Sequence, residues 1–402
     1  MKEALVFIAF ISWLMYKRDL FNSPIRLRIP DYLFICILLY SLIFVVFPFG
    51  PASFLNKAIY FKNILMLGAM YFFGRVMILN HLQVMYLLRI ILTLTILAFF
   101  VNLIEKFTNI HFQSLIGYGD LLLERKEILP TGNYGLTWTF EAQSGAKRFA
   151  AFFSSPLELA AAMLLSFSTA LVLFLNINNR FYKVKYGALI ILSIGCLLFA
   201  YSRSSLIGFF LLIFFIALVL GYHKLIIYGI LSVSIFFGGV FIFAAEDLQY
   251  FVLDTLSLAD SSSLSHVVEW LEGIESIVSS PFGIGLGTSG NAGGVENDMK
   301  IGGENQFIIF GVQLGLPFLV LYISLLISSI YLCVRSYKMA ENMTEKAIPF
   351  IAATFKFAFL LPLMTANAEN YLYVAYISWW MVGYSISIKK TIPNLPKLKI
   401  SA

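Results

Sequence analysis

Two arginines, one histidine and a few carboxylates are the residues of this sequence whose types and settings suit chemistry. Arg148 heads the apolar stretch KRFAAFFSSPLELAAAM, and Arg203 lies in the polar turn of LLFAYSRSSLIGFF. A guanidinium presents a planar fork of donors that matches a phosphate or carboxylate, and its charge does not titrate. In HVVEWLEGIESIV, His266, Glu269 and Gly273 follow at i, i+3 and i+7, so an imidazole and a carboxylate share one helix face. GGENQFIIFG sets Glu304, Asn305 and Gln306 at the mouth of an apolar run, and Glu158 is an ionisable group inside another. Such a set can hold an anion with its arginines and take up a proton with either His266 or Glu304. An ordinary imidazole titrates near working pH, whereas a carboxylate must be buried before it becomes a comparable base. Each residue also has a plainer role. Arg148 can anchor a helix end with its stem in the interface, Glu304 can complement a helix dipole, and His266 and Glu269 can form a solvated face.

The elements that position these residues read as membrane. Of 402 residues, 60% are hydrophobic and 12% charged, against about 25% charged in a soluble domain, and the mean hydropathy is +0.85. Several runs reach the roughly 20 residues that cross a hydrocarbon core of about 30 Å as a helix. Runs such as GFFLLIFFIALVLG do not alternate in polarity, which excludes an outer-membrane barrel. The pattern predicts an all-α polytopic bundle of about eleven transmembrane helices. They centre on 4–16, 32–47, 58–79, 82–104, 149–175, 186–201, 204–222, 225–245, 306–333, 347–363 and 370–388, in one integral membrane domain over 1–402. ALVFIAFISWLMY, followed by Lys17 and Arg18 and without a small-residue cleavage site, reads as a short first span. Cys36, Cys196 and Cys333 lie in or beside spans without metal-site spacing and read as packing residues, so no metal or cofactor is expected.

The net charge of +6 lies mostly in short connectors and the tail. It therefore reports topology and excludes nucleic acid as a partner. Lys17, Arg18, Arg26 and Arg28, then Arg180, Lys183 and Lys185, then Arg335, Lys338 and Lys346, and finally Lys389, Lys390, Lys397 and Lys399 mark cytoplasmic sites. Alternation between them puts the loops 105–147 and 246–305 and the turn Ser202 to Ser205 on the outer face. The second loop is expected to carry the site. Within it, Ser265 is a plausible N-cap, and Val267, Trp270, Leu271, Ile274, Ile277 and Val278 form a stripe expected to lie on the membrane. In PFGIGLGTSGNAGG the glycines are expected to allow tight turns and close approach to a substrate. Neither strand nor lysine accompanies them, so a nucleotide loop is excluded. Pro156, inside an expected span, predicts an irregular helix facing protein or water.

RFAAFFSSPLELAA, the YSRSSLIGFF turn, and HVVEWLEGIESIVSSPFGIGLG followed by GGENQFIIFGVQLGLP together resemble the O-antigen polymerase and O-antigen ligase superfamily, over roughly the second half of the chain. The resemblance implies a metal-independent glycosyltransferase of the bacterial inner membrane with its site on the periplasmic face. It implies polyprenyl-diphosphate-linked oligosaccharides as donor and acceptor, with a flippase and a chain-length regulator as partners in the bilayer. Many members carry His where this chain has Glu304, and often Arg where it has His266. That departure favours a repeat-unit polymerase for O-antigen, capsular or exopolysaccharide over a ligase acting on a lipid A core. Arg148, Arg203, His266 and Glu304 are then the catalytic candidates, and Glu158, Glu269, Asn305 and Gln306 bind substrate. Glu304 is favoured as the base and His266 remains the competitor. A precursor transporter or flippase is the reading of another class, which would favour inverted repeats, broken helices and few large outer loops.

Overall fold

A computed structural model of the chain describes residues 26–126, 129–141, 147–221, 261–290 and 301–387, with scattered positions in 1–25 and 222–260. The expected spans 4–16 and 225–245 lie outside those continuous stretches. The described helices are α1 (Ile29–Val46), α2 (Phe54–Val76), α3 (His81–Thr108), α4 (Phe112–Leu115), α5 (Tyr118–Lys126) and α6 (Pro156–Asn176). They continue with α7 (Arg180–Phe199), α8 (Arg203–Leu220), α9 (Ser261–Ser279), α10 (Gln306–Met339), α11 (Met343–Thr365) and α12 (Leu372–Ser387). Short 3-10 turns stand at Trp138–Phe140 and Ala368–Asn370. Among the described residues six helices, α1, α3, α6, α7, α10 and α11, are long and apolar enough to cross a membrane. Over the described residues the chain is all-helical, and its apolar helices are those of a multi-pass membrane protein.

Burial sorts these six. The most apolar windows of α6 and α11 are 83% and 78% buried, against 28–33% in the other four, so α6 and α11 form the centre and the rest surround them. Lipid is no more polar than leucine, so contact between helices rests on close approach and interhelical polar bonds. Small residues supply the approach. A Cβ on Gly383 would fall 2.0 Å from the Tyr71 carbonyl oxygen, and one on Gly74 would fall 2.1 Å from that of Trp380, which seals α2 against α12. The polar bond at the far end of this pair is an ion pair. Arg75 Nε donates to Asp31 Oδ1 at 2.8 Å, and Arg75 Nη1 to Ser387 Oγ at 2.7 Å, joining α1, α2 and α12.

Several boundaries differ from expectation for local reasons. The span expected over 149–175 becomes helical only at Pro156, because Ser155 caps it by accepting from the Glu158 N–H at 3.2 Å. Proline at the first helical position needs no N–H, so it starts this helix and does not disturb one. Ser202 likewise accepts from the Ser205 N–H at 3.4 Å, so Arg203 is already helical and the turn is Ala200 to Ser202. Helix α9 starts at Ser261, which puts Ser265 inside it.

The stripe of α9 divides. Gly273 and Ile277 pack on Ile308 and Gly311 of α10, whereas Leu271, Ile274 and Val278 are exposed. Helix α10 is broken at Gly315, whose φ of 77° and ψ of −178° are not helical. The glycine-rich segment fills that break. Ile284 and Gly285 donate to the Val312 and Gln313 carbonyls at 2.9 and 3.0 Å, and the Leu316 N–H donates to the Pro281 carbonyl at 2.8 Å. Glycines 283 and 285 thus approach the protein's own backbone, where a substrate had been expected. Unpaired backbone groups at such depth must be satisfied from within the protein.

Candidate functional site

Four helices, α6, α8, α10 and α12, begin at one end of the bundle. The contacts between their N-terminal ends run from Arg148 round to Tyr373. The Arg148 backbone N–H donates to the Phe140 carbonyl at 2.9 Å, and the Phe149 N–H to the Phe199 carbonyl at 3.1 Å. These bonds lay the end of the first loop along the end of α7, and Arg148 Nε donates to the Ala200 carbonyl at 3.1 Å, in the turn that leads to Arg203. Burial pulls the Arg148 guanidinium below its ordinary pKa. Tyr371 and Glu304 support its charge and Arg203 opposes it. Arg148, Arg203, Glu304 and Tyr371 therefore share one electrostatic neighbourhood, at a place where four helix dipoles present their positive ends.

The Arg148 segment is held from behind by two side chains. The Glu105 carboxylate accepts from the Phe112 and Ala151 N–H groups at 2.8 and 3.0 Å. Gln113 Nε2 donates to the Ala151 and Phe153 carbonyls at 2.7 and 2.8 Å. Ala151 itself takes a φ of 49°, a left-handed conformation held by the bonds to its own N–H and carbonyl.

Glu158 accepts from the Ser154 hydroxyl, from the Ser154 N–H at 3.2 Å and from the Tyr373 N–H at 3.4 Å. It thereby joins the start of α6 to the start of α12, and its charge reaches Tyr371. Tyr118, in the first loop, is also within its reach. Burial first and Glu158 second raise the Tyr118 phenol above its ordinary pKa. Asn305 caps α10, its Oδ1 accepting from the Phe307 and Ile308 N–H groups at 3.0 and 3.3 Å. Gln306 Oε1 accepts from the Glu369 N–H at 3.1 Å. Three of the four expected substrate-binding side chains, Glu158, Asn305 and Gln306, are thus engaged in holding the frame.

His266 and Glu269 meet as their spacing allows, with Nδ1 3.6 Å from Oε2. The pair lies against the turn that carries Glu304. A Cβ on Gly303, whose φ is 62°, would fall 2.1 Å from Glu269 Oε2, so only glycine lets helix α9 and this turn come so close. Arg148 thus lies within electrostatic reach of Arg203, Glu304 and Tyr371, Glu158 within reach of Tyr371, and the His266–Glu269 pair stands one residue from Glu304 through Gly303. Tyr371, Tyr118, Lys356 and Glu369 were not anticipated. Lys356 alone carried a signal, as a charge inside an apolar run.

His111, at the start of the first loop, gives a pH-dependent expectation. Its ring is 2% exposed and stands among Tyr134, Phe140 and Phe149 at centroid distances of 5.4, 5.4 and 5.6 Å. Neither ring nitrogen has a hydrogen-bond partner among the described residues. Burial, and then the Lys147 charge, lower its pKa from 6.5 to about 4. The folded loop thus holds fewer protons than the unfolded one between those values. Stability from this contact is present above pH 6.5 and is lost as pH falls through about 4. Compared with His111→Phe, the wild-type protein should therefore lose protease resistance of the first loop between pH 7 and pH 5. An unchanged profile in that variant would assign the acid sensitivity to other groups.

Compared with known proteins, the chain matches no protein-family model and no curated protein.

Proposed function

We propose that this chain is a metal-independent membrane glycosyltransferase that joins polyprenyl-diphosphate-linked oligosaccharide repeat units into an O-antigen, capsular or exopolysaccharide. The observation that carries the reading is that Arg148, bonded to the Ala200 carbonyl in the turn before Arg203, lies within electrostatic reach of both Arg203 and Glu304 where four helices begin. Cleavage of the glycosyl–diphosphate bond leaves the diphosphate with growing negative charge, and preorganised cations and dipoles stabilise that charge most in the transition state. The acceptor hydroxyl loses its proton as the new glycosidic bond forms. Glu304 takes it, and His266 and Glu269 bind sugar or diphosphate beside it. Glu158, Asn305 and Gln306 act through the frame. The full topology in this reading has about eleven spans, with loops 105–147 and 246–305 outside the bacterial inner membrane. A flippase delivers the donor and a chain-length regulator limits the product.

Glu304→Gln keeps shape and hydrogen bonding but removes basicity. It is expected to suppress turnover roughly 10²-fold, within the range of general-base catalysis, while sparing donor binding. If Glu304→Gln polymerises normally while His266→Asn and His266→Gln bind donor yet fail to react, His266 is the base. Offered a lipid-linked repeat unit and a lipid A core side by side, the enzyme should elongate the former. Exclusive transfer to the core would make it a ligase.

A precursor carrier is the second reading, favoured by the break in α10 and by the buried Lys356–Glu369 pair. Against it, the break is filled by the chain's own segment Pro281 to Gly285 and offers no room to a cargo there.

A further inference from the structure

Lys356 of α11 and Glu369 of the Ala368–Asn370 turn are a charge pair inside the bundle, 0% and 4% exposed, with Nζ 3.9 Å from Oε1. The ammonium stands 3.7 Å from the centroid of the Trp379 ring and has no hydrogen-bond partner among the described residues. The carboxylate is better supplied. Its Oε1 accepts from the Tyr322 hydroxyl at 2.6 Å, and Trp379 Nε1 reaches its two oxygens at 3.1 and 3.2 Å. Stability alone does not explain such a pair, because apolar residues of the same volume usually serve as well or better.

Its place in the chain suggests another purpose. The backbone N–H of Glu369 donates to Gln306 Oε1 at 3.1 Å, which ties this turn to the start of α10. Gln306 follows Glu304 by two residues, and Tyr371 follows Glu369 by two. The half-buried Tyr371 phenol lies within electrostatic reach of Glu304, Glu158 and Arg148.

We propose that Glu369 is a positioning residue: held by Tyr322, Trp379 and Lys356, it locks the Ala368–Asn370 turn to Gln306 and so registers Tyr371 with Glu304 beside Arg148. Tyr371 then offers its hydroxyl to a phosphate oxygen of the donor. The activity arm of the test rests on the glycosyltransferase reading, and the geometric arm does not.

Two double variants of the full-length protein separate this role from simple filling of space. Lys356→Met with Glu369→Leu removes the charges and the acceptor oxygens, whereas Lys356→Met with Glu369→Gln removes the charges and keeps an acceptor for Tyr322 and Trp379. Neither leaves an uncompensated buried charge, and the leucine variant also leaves the Tyr322 and Trp379 donors without their acceptor. The leucine variant is expected to lose roughly 10²-fold in turnover, the scale set by a misplaced catalytic group. Its affinity for a sugar-free polyprenyl diphosphate should fall as well, because Tyr371 no longer reaches the phosphate, and the glutamine variant should recover most of both. Independently of activity, cysteines introduced by Glu304→Cys and Tyr371→Cys, in a Cys36→Ser background, should form a cross-link readily with a short bifunctional thiol reagent. The leucine variant should form it much more slowly. Should that variant fail to fold, Gln306→Leu breaks the same link from the other side and is read in the same way. Equal turnover in the two doubles, or unchanged cross-linking in the leucine variant or in Gln306→Leu, would overturn the proposal. If the wild type makes no polymer while cross-linking responds as expected, the glycosyltransferase reading falls and the positioning role stands.

Discussion

Arg203→Lys is expected to lower turnover by roughly 10²-fold, about 2.7 kcal/mol of transition-state stabilisation, while the protein reaches the membrane in normal amount. Arg203 opens α8 behind the Ser202 cap, at a helix end whose dipole is already positive. Its charge also opposes that of Arg148. A bound anion would meet both cations at the positive ends of these helices. Lysine keeps the charge and loses the planar fork, so it can attract the diphosphate without gripping two of its oxygens. Arg203→Ala should lose more, roughly 10³-fold, the upper range for removing one donor to developing negative charge. Single-turnover transfer from a lipid-linked donor measures both. Full polymerisation by Arg203→Ala would refute the role, and simple loss of expressed protein would return Arg203 to a structural one.

The largest expected effect on stability lies at the far end of α12. Arg75→Met should cost ~3–5 kcal/mol, because it leaves a buried carboxylate without its cation. Asp31 is 0% exposed and accepts from Arg75 Nε at 2.8 Å, from Arg75 Nη2 at 2.9 Å and from the Tyr71 hydroxyl at 2.7 Å. Arg75 also donates to Ser387 Oγ at 2.7 Å and to the Arg26 carbonyl at 2.9 Å, so one guanidinium joins α1, α2 and α12. Asp31→Asn combined with Arg75→Met removes both charges and should recover much of the loss. Thermal melting of the purified variants decides. A single Arg75 variant that melts like wild type would mean that glycine contacts alone hold these helices. Donor affinity of the folded fraction should not change, since this pair sits at the opposite end of α12 from Tyr371.

What was legible in the sequence follows from how local each signal is. Length and apolarity announce a membrane helix by themselves, so the bundle could be read directly. Its boundaries were blurred where a short polar side chain decides the matter, as Ser155 and Ser202 do. Pro156 was read as a disturbance within a span because its place at the first helical position depends on that cap. Arg148 and Arg203 stood out as cations beside apolar runs. Their adjacency rests on bonds from Arg148 and Phe149 to Ala200 and Phe199, which no spacing reveals. The glycine-rich segment makes the tight turns its composition announces, but its packing partner, the break at Gly315, is remote in sequence and no spacing reveals it. Tyr371 is one of 21 tyrosines and carries no mark of its own. Only the turn tied to Gln306 by Glu369 brings it to Glu304.

The most direct measurement is incubation of the purified protein with its lipid-linked repeat unit, without nucleotide, metal or ion gradient, and resolution of the products on a gel. A ladder of glycans growing by whole repeat units on the polyprenyl diphosphate is expected, absent with Arg203→Ala. A substrate that stays unchanged in length, and crosses the bilayer only when a gradient is imposed, would contradict that expectation and make the chain a carrier.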